Sequence, residues 1–343
     1  MSDAQPAGDE DAGGASMTAS PQLTHVAIEW KHDSPLIACR FDPTGRYVFI
    51  TAEDRTIQRF DLADGKKVAL AGHESWVRDL AFMPDGQTMI SCDYAGKLIW
   101  WPAAAEQPEP IRTVEAHQGW IRSVHASPDG QWLASGGNDH MVRIWDPADG
   151  GLVRELSGHD SHLYCVRFHP DGAFLLSGDL SGWVRQWDPI TGSEVRRFDA
   201  TALHTYHGGQ RVHYGGVRGM SVSADRRYLA CSGLHKALNP FANGNEMLVL
   251  LFEWDSQELL RQMVVNEHKQ GVVWQVAFHP DGFLIGGGGA FLLFWKPDQD
   301  NVFFAAQLPD VVREMDMHPD GLRLATAHSD GHVRISRMAA KEG

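Results

Sequence analysis

A four-residue turn signal recurs seven times along this chain and constrains its fold more than any other feature. It reads DPTG at Asp42–Gly45, MPDG at Met83–Gly86, SPDG at Ser127–Gly130, HPDG at His169–Gly172, SADR at Ser223–Arg226, and HPDG again at His279–Gly282 and His318–Gly321. The last residues of successive copies stand 41, 44, 42, 54, 56 and 39 positions apart. In the x-P-D-G form, Pro presets the first turn angle, Asp can bond its own backbone, and Gly tolerates the exit geometry. Each copy is a predicted hairpin turn, and a period of this length signals a repeat architecture.

The flanks alternate as strands should. WVRDLAF, WIRSVHA and LYCVRFH precede three of the turns, and TMISC, WLASG and FLLSG follow them. A third strand comes next, as in KLIWWP, MVRIWDP and WVRQWDP, and a fourth after it, as in LVREL and EVRRF. Period-two alternation in four short runs per repeat fits one blade of a β-propeller. The predicted architecture is therefore all-β, a seven-bladed propeller with four antiparallel strands per blade over residues 23–338, and a short tail at 339–343. The last repeat reaches only its third strand, HVRISRM at His332–Met338. The alternating segment THVAIE at Thr24–Glu29 is the predicted missing fourth strand, closing the ring and covering an otherwise open sheet edge.

At this level of detail the repeats resemble WD repeats. GH dipeptides stand at Gly72–His73 and Gly158–His159, and WD dipeptides at Trp145–Asp146, Trp187–Asp188 and Trp254–Asp255. The resemblance implies a hydrogen-bonded tetrad of His, Ser or Thr, Asp and Trp inside each blade. Blade three carries all four as His117, Ser135, Asp139 and Trp145. Blade four has His159, Ser177 and Trp187 with Ser181 at the expected Asp position, and blade two has His73, Ser91 and Trp101 with Ala95 there. Blade one offers His32, Thr51 and Asp54 with Phe60 for Trp, and blade seven Thr326 and Asp330 with Ser336 for Trp. Blade six keeps His268 and Trp295, and His213 falls at the tetrad-type position of blade five. Recurring His, Ser and Asp could be misread as a hydrolase triad, but catalysis needs one converging geometry, not one copy per blade.

Composition narrows the function classes. The formal charge is −14, of which four acids lie in MSDAQPAGDEDAGGASMTASPQ, leaving −10 on the remainder. Residues 1–22 hold too little apolar surface to offset ordering and are expected to be a disordered acidic tail. The acidic body makes nucleic acid an unlikely partner. Four cysteines, Cys39, Cys92, Cys165 and Cys231, form no CxxC pair, so no zinc or redox motif is signalled and reduced structural thiols are expected. No membrane-spanning run and no signal-peptide pattern occur, which makes a cytoplasmic protein the default expectation.

Two places depart from the bare repeat. Blade five is expanded by LHTYHGGQRVHY at Leu203–Tyr214 and LHKALNPFANGNE at Leu234–Glu246, read as exposed polar loops. His204, His207 and His213 lack a carboxylate partner or ligand spacing, so no metal is expected there. The second place is the start of the innermost strands. Counting back four residues from the residue before each turn gives Ile37, Arg78, Arg122, Tyr164, Arg218, Trp274 and Arg313; counting back six gives Pro35, Trp76, Trp120, His162, Gly216, Val272 and Val311. The resemblance implies that these columns surround the channel mouth on the partner-binding face. Arg and aromatic side chains are enriched in interface hot spots. A basic mouth on an acidic body suits an acidic or phosphorylated peptide.

The expected function is a non-catalytic protein-interaction scaffold, with partner-binding residues Trp76, Arg78, Trp120, Arg122, His162, Tyr164, Arg218, Trp274 and Arg313. The alternative is an enzyme or small-molecule binder using the central channel. Against it, no phosphate-binding loop is present: GGGG at Gly286–Gly289 lacks a following helix or Lys and reads as a degenerate turn. No cofactor is expected, and the partner is expected to be a protein or peptide.

Overall fold

The computed structural model describes residues 18–237, 245–265 and 271–341. Seven four-stranded sheets form, each antiparallel and each built from neighbouring strands in chain order, apart from the sheet that joins the two ends. Blade one shows the pattern with Leu36–Phe41, Tyr47–Ala52, Ile57–Asp61 and Lys67–Leu70, from the channel outward. Its second and third strands are buried at every residue, whereas Lys67–Leu70 alternates. Inner strands are covered on both faces by adjacent blades, so they read as continuous apolar runs; outer strands keep one wet face.

All seven predicted turns form. The amide of the fourth residue donates to the carbonyl of the first in each, from Gly45 to Asp42 at 2.9 Å through Gly321 to His318 at 2.9 Å. The fourth residue has positive φ every time, and Arg226 adopts it at 61° where the other six copies use Gly. The turns also interlock around one face. His318 Nε2 lies 2.8 Å from the Gly45 carbonyl, and a Cβ on Gly45 would come within 2.4 Å of that ring. His279 meets the Gly321 carbonyl at 2.7 Å in the same way. Gly282, which follows the SADR turn of blade five, has no neighbour within 4 Å of a Cβ position.

The ring closes as expected, with a longer clasp. Thr24–Lys31 pairs antiparallel with His332–Met338, from Thr24 opposite Met338 to Lys31 opposite His332. The two residues beyond the predicted Thr24–Glu29 include Trp30, whose ring stacks on Phe60 of blade one at 5.1 Å and 5°. Phe60 therefore replaces the tetrad Trp with an aromatic joint between the N-terminal strand and blade one. The described chain extends the clasp upstream: Pro21–Leu23 is a 3-10 turn, and the Ser20 amide donates to the Met338 carbonyl at 2.8 Å.

Two local readings are corrected. The first blade-five insertion is not an irregular loop but a two-stranded hairpin, His204–His207 against Val212–Gly215. Of the second, residues 238–244 lie outside the described residues; its flanks lengthen two strands to eight residues each, Tyr228–His235 and Glu246–Glu253. Gly286, Gly287 and Gly288 are not a turn but part of the strand Leu284–Gly288. A Cβ would meet the Trp295 ring at 2.9 Å, Met315 Cβ at 3.0 Å and the Val272 carbonyl at 2.5 Å, respectively, so glycine lets neighbouring strands and blades approach.

Candidate functional site

The tetrads explain where His, Ser and Asp are used. In blade three His117 Nδ1 meets Asp139 at 2.8 Å and Nε2 meets Ser135 Oγ at 2.7 Å, while Trp145 Nε1 donates to that hydroxyl at 2.8 Å. The carboxylate only accepts, so the neutral ring carries its proton on Nδ1 and Ser135 donates to Nε2. Burial lowers the His117 pKa and favours this neutral form, while His117 and Arg143 hold Asp139 well below the usual carboxylate range despite its own burial.

Blades two and four were expected to lack the Asp, and both have one. Asp93 meets His73 at 2.8 Å and Asp179 meets His159 at 2.7 Å, in networks closed by Ser91 with Trp101 and Ser177 with Trp187. These carboxylates come from two residues after the Ser, within the second strand, not four residues after it. In blade three that position is Gly137, where a Cβ would lie 2.5 Å from His117 Nδ1. One site thus admits a carboxylate from either of two backbone positions.

The other blades diverge. In blade one His32 pairs with Asp54 at 2.7 Å, but Thr51 instead accepts from the Ala38 amide. Blade seven draws its histidine from the strand itself: His328 Nε2 lies 2.8 Å from Thr326 Oγ1. His213 is not a tetrad residue; it is exposed in the hairpin and bonds His204 at 2.8 Å. Trp254 of the third WD dipeptide lies past its strand and packs on His169 and Phe198. His268 lies outside the described residues.

The inner-strand columns converge on one mouth. Ile37, Arg78, Arg122, Tyr164, Arg218, Trp274 and Arg313 all line a cavity of about 120 Å³ at the start of the channel. The local cause is a β-bulge. Pairing with the second strand slips across Ile37, Arg78, Arg122, Tyr164, Trp274 and Arg313, one per inner strand. A bulged residue leaves the ladder and its side chain is re-aimed, here into the channel. Arg218 sits just before its strand, with its amide bonded to Ser232.

The arginines are not equivalent. Arg78 meets Glu314 at 3.3 Å, and that carboxylate raises its pKa against the effect of burial. Arg122 bonds the Asn138 side chain at 2.9 Å and lies over Tyr164 at 4.4 Å and Trp120 at 4.9 Å. Arg218 lies over Tyr164 at 4.0 Å and Trp274 at 5.2 Å, and its buried Nε has no hydrogen-bond partner. Burial, and behind it repulsion from Arg122 and Arg78, destabilises the Arg218 charge. Among the described residues, Arg122, Arg218 and Arg313 have no carboxylate partner.

Two expected residues stand apart from the cavity wall. Trp120 is on the rim, 42% exposed, stacked on Tyr94 at 4.2 Å and 7°. His162 is held at the Asn138 carbonyl, 2.9 Å away. Trp76 lines the cavity and is 44% exposed, tilted against Tyr94. Sequence reasoning missed Glu53, Tyr94 and Asn138. They form a third column, because the amides of Glu53, Tyr94 and Asn138 bond the carbonyls of Pro35, Trp76 and Trp120. Aligning the repeats on the second strand, not only the first, would have exposed it.

The fold and this arrangement define a repeat propeller whose ornamented surface is a basic, aromatic channel mouth. The chain belongs to the WD40 family: the model of the WD domain, G-beta repeat, matches residues 66–101, 108–146, 150–188, 260–296 and 303–335, more than half of the chain. The matched stretches leave out the region of the hairpin and the long strands of blade five. The chain is also similar to nuclear distribution protein nudF 2 of Talaromyces marneffei, 35% identical over 74 residues, which is 22% of this chain and 15% of that protein. Propellers of this family are generally non-catalytic scaffolds for protein interaction. No helix among the described residues is long and apolar enough to cross a membrane.

Proposed function

We propose that this protein is a scaffold whose partner presents an acidic or phosphorylated peptide to the channel mouth. The observation that carries the reading is the trio Arg122, Arg218 and Arg313, which line one cavity and have no carboxylate partner among the described residues. Burial, and behind it repulsion among neighbouring arginines, destabilises the charges of Arg122 and Arg218, and an entering anion relieves that cost with charge-assisted hydrogen bonds. Tyr94, with Trp120 stacked on it and Trp76 tilted against it, forms an aromatic shelf beside it for the flanking part of the peptide. Tyr164 and Trp274 support the arginines from below by cation–π contact. Four buried thiols with no disulfide fit a reducing compartment, which supports a cytoplasmic setting.

The test is affinity capture with mass spectrometry, comparing the wild type with the double variant Arg122→Glu/Arg218→Glu. The expected result is loss of the captured partner with an unchanged melting temperature. Retention of the same partner by the folded variant overturns the reading.

A further inference from the structure

The far end of the central channel opens, on the turn face, into a second cavity of about 350 Å³. That volume is within the ordinary range of small-molecule sites, on the order of 300–1,000 Å³. Its walls come from the ends of the innermost strands of blades three to seven, and they carry two opposite charges that do not pair with each other. Arg167 makes no hydrogen bond or ion pair among the described residues. Asp316 accepts from the Phe41 amide at 2.8 Å through Oδ2 and has no cation within ion-pair distance among the described residues; burial raises its pKa, against which Arg40 and, less strongly, Arg167 favour the charged form. Gln275 also faces the cavity, and Met220, Phe278 and Met317 supply apolar wall. A buried carboxylate without an ion-pair partner carries a desolvation cost that pairing does not offset, and the guanidinium across the cavity makes no pair among the described residues that would do so.

We infer that this cavity binds a small zwitterion with an apolar body, of the α-amino acid class. Its carboxylate meets Arg167, its ammonium meets Asp316, and its side chain lies against Met220, Phe278 and Met317. The methionines adapt to the shape of the side chain, so the site selects the charged pair more strongly than the apolar group.

Isothermal titration of the full chain with L-phenylalanine tests this. Wild type binds L-phenylalanine, and binds N-acetyl-L-phenylalanine and L-phenylalaninamide at least about tenfold more weakly, as expected for loss of one charge-assisted contact. Arg167→Gln and Asp316→Asn lose affinity for L-phenylalanine to a similar degree. Arg122→Glu/Arg218→Glu at the opposite end binds it as the wild type does, which separates this site from the peptide-binding mouth. Absence of L-phenylalanine binding by the wild type overturns the inference. So does equal binding of all three ligands, a comparison that needs no variant to fold.

Discussion

The guanidinium carbon of Arg218 lies 4.0 Å from the centre of the Tyr164 ring, while its Nε hydrogen is buried and reaches no acceptor. Arg122 approaches the same ring at 4.4 Å. Two cations thus share one aromatic ring in the mouth. Cation–π contact holds them there without neutralising them, so their charge is left for a ligand. Removing the shared ring by Tyr164→Leu should lower affinity for an acidic partner by roughly tenfold while changing stability by less than about 1 kcal/mol. Unchanged affinity in a binding titration contradicts this role.

The tetrads make a stability prediction. Ser135→Ala or Asp139→Ala leaves buried partners unpaired and should cost about 1–3 kcal/mol. Asp93→Ala and Asp179→Ala should cost as much or more, because those carboxylates are more deeply buried than Asp139. Urea denaturation of the four variants checks the order. Wild-type stability in Asp93→Ala removes that residue from the tetrad.

Blade six gives a counterintuitive result. Trp295 Nε1 is buried without a partner, and Gly286 is where a tetrad Ser would stand. Restoring that Ser looks helpful, yet its Cβ would meet Trp295 at 2.9 Å and Val273 at 3.0 Å. Overpacking of this kind costs about 1–3 kcal/mol. Gly286→Ser should therefore lower the denaturation midpoint; a higher midpoint means the site can relax to accept the hydroxyl.

Blade seven predicts a pH dependence. Burial, together with the nearby Arg334, lowers the His328 pKa to about 4, so the unfolded chain binds the proton more readily than the folded one. The contribution of neutral His328 is present above the unfolded value of about 6.5 and is lost as pH falls from there to about 4, on the order of 3 kcal/mol in total. Asp93 acts in the same sense at lower pH, since His73 and backbone contacts depress its pKa despite its burial. His328→Gln should flatten the stability profile between pH 6.5 and 4. An equally steep profile in that variant contradicts the assignment.

The chain-end clasp is directly testable. Deleting residues 1–17 should leave melting unchanged, whereas deleting residues 1–30 removes all but the last residue of the clasp and exposes the edge of His332–Met338. The longer deletion should aggregate on expression. Normal folding of that truncation refutes closure by the N-terminal strand.

Periodic features were readable in the sequence because each repeat sits in the same environment. The seven turns, the strand pattern and the two mouth columns all followed from one spacing. What failed were substitutions that keep a spatial site while changing its backbone address. Asp93 and Asp179 reach the tetrad from two residues after the Ser, and His328 reaches Thr326 from its own strand, so a fixed offset missed all three. Gly286–Gly288 looked like a turn because glycine marks both tight turns and close packing, and only the neighbouring Trp295 and Met315 decide between them. Pairing was equally illegible: nothing local distinguishes Arg78, bound to Glu314 from a distant repeat, from Arg122, which has no acid beside it among the described residues.

The basic mouth is tested most directly by screening a peptide array of matched acidic, phosphorylated and neutral sequences against the full chain and its Arg122→Glu/Arg218→Glu variant. Wild type should retain acidic or phosphorylated peptides over neutral ones, with binding that weakens as salt rises, and the folded variant should retain none of them. Equal retention by the two proteins, or preference of the wild type for neutral peptides, contradicts the account.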